Sequence, residues 1–172
     1  MKQIKRILKS IMVLAVIFTM LPMSIKASDI RSIAPTDFGT PIRVTTYEED
    51  GSVVTERIYF CPDSGFRSKS GSGWYKNEKT KEWSDGSVTT YYAQGYFVWG
   101  DGEVSVSNPS GGANEVDGIT LSNKKLSYGN GQYGGIFNNY AYVTYEFTAT
   151  NLIGISSNYS VTIRISESGN AI

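Results

Sequence analysis

The sequence contains no histidine and a single cysteine, Cys61. Without histidine, the chain cannot build a Ser-His-Asp or Cys-His catalytic group or a histidine-ligated zinc site. A lone cysteine has no partner for an intramolecular disulfide. Cys61 is therefore predicted to be either a small buried side chain or one half of an intermolecular bridge.

The chain has no net charge overall, but its charges are unevenly distributed, and residues 1–27 contain no acidic side chain. The 16 basic and 16 acidic residues balance overall, yet five of the basic residues lie within residues 1–27, which contain no acidic residue. Residues 28–172 keep 11 basic and 16 acidic residues, a formal charge of −5. This acidic body offers no charge basis for binding nucleic acid, and we predict no nucleic-acid partner.

Residues 1–27 have the layout of a secretory signal peptide, with a basic start, an apolar stretch at Ile11–Leu21 and a small residue, Ala27, at the end. The uncharged stretch Ile11–Ile25 has 15 residues, fewer than the roughly 17–25 that cross a bilayer. We therefore predict cleavage next to Ala27, secretion out of the cell, and no transmembrane span in the mature chain.

Residues 28–172 are poor in helix-favouring side chains and rich in strand-favouring ones. They contain no methionine and three leucines, against eleven isoleucines, ten valines and thirteen threonines. Branched and aromatic side chains suit a pleated sheet, and glycine-rich turns separate the runs. The prediction is an all-β fold, an antiparallel β-sandwich or partly open barrel over residues 40–172, preceded by a linker at residues 28–39.

Two segments alternate most clearly, Tyr140–Thr148 and Tyr159–Ser166. We predict that they form a hairpin around Gly154, with Glu146 and Arg164 paired on the outer face. The predicted core-facing side chains are Val143, Tyr145, Phe147, Val161, Ile163 and Ile165.

Other runs predict further strands, the first of them long. Val88–Tyr92 and Gln94–Trp99 are predicted to form one bent strand with a bulge at Gly95. Further predicted strands begin near Ile42, Val54, Val104, Ile119 and Lys125. The Ser- and Gly-rich segments Pro62–Gly73 and Asn108–Gly118 are predicted to be loops.

An Asp-Gly-x-Val motif occurs three times, beginning at Asp50, Asp85 and Asp101. A calcium loop needs several oxygen ligands at short spacing, and each copy offers one or two carboxylates. Asp-Gly is also a strong signal for a tight hairpin turn. Hairpin turns are the favoured interpretation, and we predict no metal and no cofactor.

Glycoside hydrolysis is the enzyme class that the composition permits, because two carboxylates suffice for it. Glu103 and Glu146 lie within predicted strands, but solvation on an outer face explains both. Catalytic residues are therefore not predicted.

Aromatic residues are in excess, 21 of the 145 residues after Ala27. Exposed Trp and Tyr rings form platforms for sugar rings or for a protein partner. Trp74, Trp83 and Trp99 are the candidate ligand-binding residues, and we expect at least two of them to be exposed on one side. The alternative is that these rings fill a two-layer core.

Several runs from Gly95 onward resemble a family of small exported all-β proteins from Gram-positive bacteria. The matching pieces are Gly95–Val98, Glu103–Ser107, Ile119–Leu121, Ile153–Ser156 and Tyr159–Ile163. That family has no known function. The resemblance implies a secreted β fold and assigns no active residues.

Together these observations predict a secreted, non-catalytic binding module that acts at the cell envelope or outside the cell. Its expected partner is a cell-wall or environmental glycan, or another protein. Two alternatives stay open: a small carboxylate-dependent glycan hydrolase, and a toxin- or bacteriocin-like protein whose exposed aromatic rings engage membranes.

Overall fold

The computed structural model describes residues 33–63, 70–83, 86–114, 116–133 and 138–172. The predicted signal peptide lies outside these residues. The described residues form eight β-strands and include no helix that is long and apolar enough to cross a membrane. The strands are β1 (Arg43–Glu49), β2 (Ser52–Pro62), β3 (Gly71–Glu82), β4 (Val88–Gly100), β5 (Glu103–Ala113), β6 (Ile119–Tyr133), β7 (Asn138–Asn151) and β8 (Ser156–Ser166).

The strands form two antiparallel sheets. Strands β1 to β5 make a five-stranded sheet and β6 to β8 a three-stranded one, and in both sheets consecutive strands are hydrogen-bonded neighbours. The inner face of β7 and β8 packs against β3, β4 and β5. The predicted antiparallel β-sandwich is confirmed.

The predicted hairpin of β7 and β8 is present in the expected register. Val143 lies opposite Ile163, and Tyr145 opposite Val161. All six predicted core side chains are buried between the sheets. The expected pairing of Glu146 with Arg164 is wrong, because Glu146 lies opposite Ser160 and forms its ion pair with Lys125 of β6 at 3.7 Å.

Gly95 is a bulge in β4, as predicted. The register between β4 and β5 shifts between Gln94 and Tyr96. A Cβ atom at position 95 would lie 2.8 Å from Val106 and 3.0 Å from Val143. Only glycine therefore lets the opposing sheet approach so closely at the bend.

Three strand assignments differ from expectation. Strand β3 was not predicted, because its Lys- and Glu-rich second half lacks apolar alternation. Asn108–Ala113 continues β5 instead of forming a loop, and β6 is one strand where two were expected. At Gly111 a Cβ atom would lie 2.6 Å from Tyr145. The glycine that suggested a loop is therefore needed because the Tyr145 side chain packs directly against the backbone of β5.

The Asp-Gly motifs form tight turns where the structure describes them. Asp50 and Gly51 have φ values of 52° and 72°, and Asp101 and Gly102 have 54° and 78°. Two successive residues with positive φ are typical of a type I′ hairpin turn. The hairpin interpretation is confirmed for these two copies; Asp85 lies outside the described residues.

The core contains tyrosines whose hydroxyl groups are removed from water. Tyr75 is 3% exposed, and its hydroxyl donates a hydrogen bond to the carbonyl oxygen of Gly169 at 2.6 Å. Burial raises the pKa of Tyr75 from 10 to about 12. Burial also raises the pKa of Tyr91, and the nearby Glu49 carboxylate adds to that shift.

Because burial raises the pKa of these tyrosines, we expect the protein to lose stability at alkaline pH. Below pH 10 both folded and unfolded chains hold the Tyr75 proton, so its contribution is constant. Between pH 10 and 12 the unfolded chain ionises first, and the free energy of unfolding should fall by about 3 kcal/mol from Tyr75 alone. Urea unfolding across this range, with tyrosinate absorbance recorded in parallel, measures the effect. Ionisation of every tyrosine near pH 10 without loss of stability would contradict it.

Candidate ligand-binding site

The three tryptophans occupy different environments. Trp74 and Trp99 are buried, with 5% and 3% of their surface exposed, whereas Trp83 is half-buried. The expectation that at least two of them are exposed on one side is therefore wrong. Trp83 is the most exposed of the three, and it lines a surface groove where a ligand could reach it.

The two buried rings lie on opposite faces of the five-stranded sheet. Trp99 points into the core, where it packs against Phe60 and Tyr75 at ring distances of 6.0 Å. Gly169 covers it, because a Cβ atom there would lie 2.3 Å from the indole. Trp74 lies on the opposite face of its sheet, edge-to-face with Tyr96.

A groove of about 450 Å³ opens where β3 leads into β4 and β7 turns into β8. We call it the Trp83 groove. Its described lining residues combine two aromatic rings, several aliphatic side chains and hydroxyl and amide groups: Trp83, Ser87, Asp117, Gly118, Ile119, Ala149, Asn151, Leu152, Ile153, Ile155, Ser157 and Tyr159.

The aromatic part of the groove is held in a defined orientation. Trp83 meets Tyr159 edge-to-face, with ring centroids 5.9 Å apart. The indole nitrogen of Trp83 donates a hydrogen bond to the hydroxyl of Thr89 at 3.1 Å. Tyr159 stacks on Phe147 of the core at 5.5 Å. The two rings are thus preorganised, which lowers the entropy cost of binding.

A buried lysine lies behind these rings. Lys81 is 0% exposed, and its Nζ lies 4.7 Å from the ring centroid of Trp83 and 4.9 Å from that of Tyr159. Among the described residues its ion-pair partner is Glu49, whose carboxylate oxygen lies 3.6 Å away, too long for a good hydrogen bond. The ammonium group is therefore held chiefly by ring faces.

The turn between β7 and β8 forms the aliphatic wall of the groove. Leu152, Ile153 and Ile155 expose 89%, 80% and 60% of their surface. Gly154, at a φ of 84°, allows the chain to reverse here, as predicted. Tyr159 and these aliphatic residues were not among the predicted site residues, although three aliphatic residues in a predicted turn are a signal that could have identified them.

A second aromatic cluster lies on the outer face of the five-stranded sheet. Lys76 Nζ lies 5.0 Å from the ring centroid of Tyr92, 5.6 Å from Tyr59 and 5.8 Å from Phe38. Lys76 also forms an ion pair with Glu78 at 2.6 Å. These rings thus pack around a lysine of their own sheet, as Trp83 and Tyr159 pack around Lys81.

Carboxylates suited to glycoside hydrolysis are not assembled in the Trp83 groove. Among its described lining residues, Asp117 is the one acidic side chain. Glu103 lines a different groove, of about 510 Å³, with Asp101 and Asn139. Glu146 lies seven residues further along β7 than Asn139, a distance of about 23 Å at the strand rise. Glu103 and Glu146 therefore do not form a catalytic pair.

Neither a metal site nor the cysteine thiol is placed at this groove by the described residues. Within the described ranges, no group of three or more Cys, Asp and Glu residues is placed to hold a metal ion. Cys61 is half-buried near the end of β2, opposite Trp74, and carries a free thiol. The thiol is thus remote from the Trp83 groove.

Comparison with protein-family models, curated proteins and solved structures finds no match to this chain. The resemblance to small exported β proteins therefore stays a prediction.

Proposed function

We propose that the protein is a secreted, non-catalytic binding module that binds an amphipathic partner in the Trp83 groove. The observation that carries this proposal is the juxtaposition of Trp83 and Tyr159 with the exposed aliphatic side chains of the β7–β8 turn. Such a groove offers apolar contact for affinity and hydroxyl and amide groups for orientation. Partners with both characters include wall and environmental glycans, protein surfaces and phospholipids.

The experiment is a fluorescence titration. Wild-type protein is titrated separately with wall polysaccharide, environmental glycans, amphipathic peptides and phospholipid vesicles. A partner that contacts Trp83 should shift the tryptophan emission, and Trp83→Ala should weaken its binding about tenfold or more. Leu152→Asn tests the opposite wall of the groove with a smaller risk of unfolding, because Leu152 is almost fully exposed.

Tyr128→Ala is the matched control, since Tyr128 is an aromatic residue of β6 that is 57% exposed and does not line the groove. It should leave binding unchanged. A partner whose affinity is insensitive to both Trp83→Ala and Leu152→Asn would overturn the assignment of the site. Failure of all four ligand classes to bind would overturn the binding function.

Glycoside hydrolysis is a second candidate, because Asp101 and Glu103 both line the 510 Å³ groove at the β4–β5 turn. Both side chains are exposed, whereas a catalytic acid usually needs an apolar environment to hold its proton at neutral pH. An assay for new reducing ends on the same glycans separates the candidates. Hydrolysis that Glu103→Gln abolishes would favour the enzyme.

A further inference from the structure

The β7–β8 tip, residues 151–155, is an apolar projection with a rigid backbone. Its exposed aliphatic side chains follow Asn151, whose side chain organises the turn. Asn151 Oδ1 accepts hydrogen bonds from the backbone N–H groups of Ile153 at 3.2 Å and Ile155 at 2.9 Å. The N–H of Gly154 donates to the carbonyl oxygen of Asn151 at 3.0 Å.

These hydrogen bonds lower the free-energy cost of moving the tip out of water. A backbone N–H group that loses water without gaining a partner costs several kcal/mol in an apolar phase, so unsatisfied loops stay out of lipid. Here three successive N–H groups are satisfied within the turn itself. The tip can therefore leave water without losing their hydrogen bonds.

The sequence around the tip carries no charge. The 17 residues between Glu146 and Arg164 contain no acidic or basic side chain. Trp83 and Tyr159 stand beside the tip in the same groove, and rings of these two types favour the boundary between lipid and water.

The shape and size of the tip favour a bilayer over a protein partner. A stable protein interface buries about 800 Å² on each side, from some 20–30 residues. Three side chains on a turn supply a small part of that, and a protein would need a matching cavity to receive them. A fluid bilayer accepts a small apolar projection without such a cavity.

The acidic side chains at this end of the sandwich indicate the headgroup charge of the bilayer that the tip would enter. Antiparallel pairing places the β1–β2 turn, with Glu49 and Asp50, at the same end as the Trp83 groove. Asp117 lines the groove as well. Acidic side chains at this end of the sandwich would be repelled by anionic headgroups.

We infer that the β7–β8 tip inserts into the surface of a zwitterionic phospholipid bilayer, with Trp83 at the headgroup level. This inference rests on the proposed function and specifies its amphipathic partner as lipid. The contact is reversible, because a few buried aliphatic side chains anchor a protein weakly.

The test is flotation with phosphatidylcholine vesicles, using protein from which residues 1–27 have been removed so that their apolar stretch cannot bind lipid. The compact unit Ser32–Ile172 contains every described strand. Leu152→Asn and Ile153→Asn should each reduce the bound fraction about tenfold, because each removes an aliphatic side chain from the lipid. Brominated phosphatidylcholine should quench the tryptophan emission of the wild type, and Trp83→Phe should remove that quenching.

Ile42→Asn combined with Val44→Asn is the matched control. Ile42 and Val44 are 57% and 55% exposed. Val44 lies in the edge strand β1 and Ile42 just before it, so neither belongs to the tip. The control should bind vesicles like the wild type. Circular dichroism of each variant confirms folding.

Three outcomes would overturn the inference. They are absence of binding to phosphatidylcholine, binding that requires added phosphatidylglycerol, and binding that the tip variants leave unchanged. If vesicles fail but a glycan or peptide binds in a Trp83-dependent manner, the lipid inference falls and the proposed binding function stands. If vesicles bind independently of both the tip and Trp83, both proposals fall.

Discussion

Replacing Phe147 by Ala should lower the free energy of unfolding by about 3–5 kcal/mol. Phe147 is 2% exposed, and its ring lies 5.3 Å from that of Tyr91 and 5.5 Å from that of Tyr159. Tyr91 belongs to the five-stranded sheet and Tyr159 to the three-stranded one. Truncation therefore removes an aromatic contact between the two sheets and leaves a cavity that neither sheet can close without moving.

Urea unfolding monitored by circular dichroism measures this loss. Tyr128→Ala truncates an aromatic residue of the same sheet that is 57% exposed, and it should cost less than about 1 kcal/mol. If the Phe147→Ala variant were equally stable, the core would not lie where the two sheets are packed here.

The free energy of unfolding should respond very differently to Lys81→Ala and to Lys81→Met. Lys81→Ala should lower the free energy of unfolding by about 2–5 kcal/mol, because it empties the space beside Trp83 and Tyr159. Lys81→Met keeps most of that volume and removes a buried charge. Desolvating an ammonium group costs several kcal/mol, and each ring returns about 2 kcal/mol. The Met variant should therefore lie within about 1 kcal/mol of the wild type, or above it.

The matched control is Lys125→Met, because Lys125 is 70% exposed and its ion pair with Glu146 is 3.7 Å long. A surface pair of this kind contributes about 0–1 kcal/mol. Equal losses for Lys81→Ala and Lys81→Met would show that the charge itself, through the rings and Glu49, stabilises the fold. That result would replace the packing explanation.

Local features of the fold were predictable because they depend on neighbours in sequence. Alternation with a period of two identified β7 and β8 and their buried faces, since successive side chains in a strand point to opposite sides. The Asp-Gly turns and the bulge at Gly95 depend on backbone conformations that few residues adopt. Strand β3 was not predictable in this way, because its second half lacks apolar alternation; its Lys81 and Glu78 instead contact Glu49 of β1 and Tyr59 of β2.

The chain's own sequence thus determined the all-β class, the antiparallel hairpins and the identity of the β7–β8 turn. Only the tertiary structure decided which tryptophan meets solvent. Trp99 and Trp83 both precede an Asp-Gly motif in the sequence, yet Gly169 covers the first, whereas the second is half-buried and lines a groove shared with the tip. Burial depends on segments that are distant along the chain but adjacent in space, and a period-two pattern carries no information about which distant segment that is. The grouping of Trp83, Tyr159 and the aliphatic tip arises for the same reason, because strands β3 and β8 belong to different sheets that meet only when the sandwich closes.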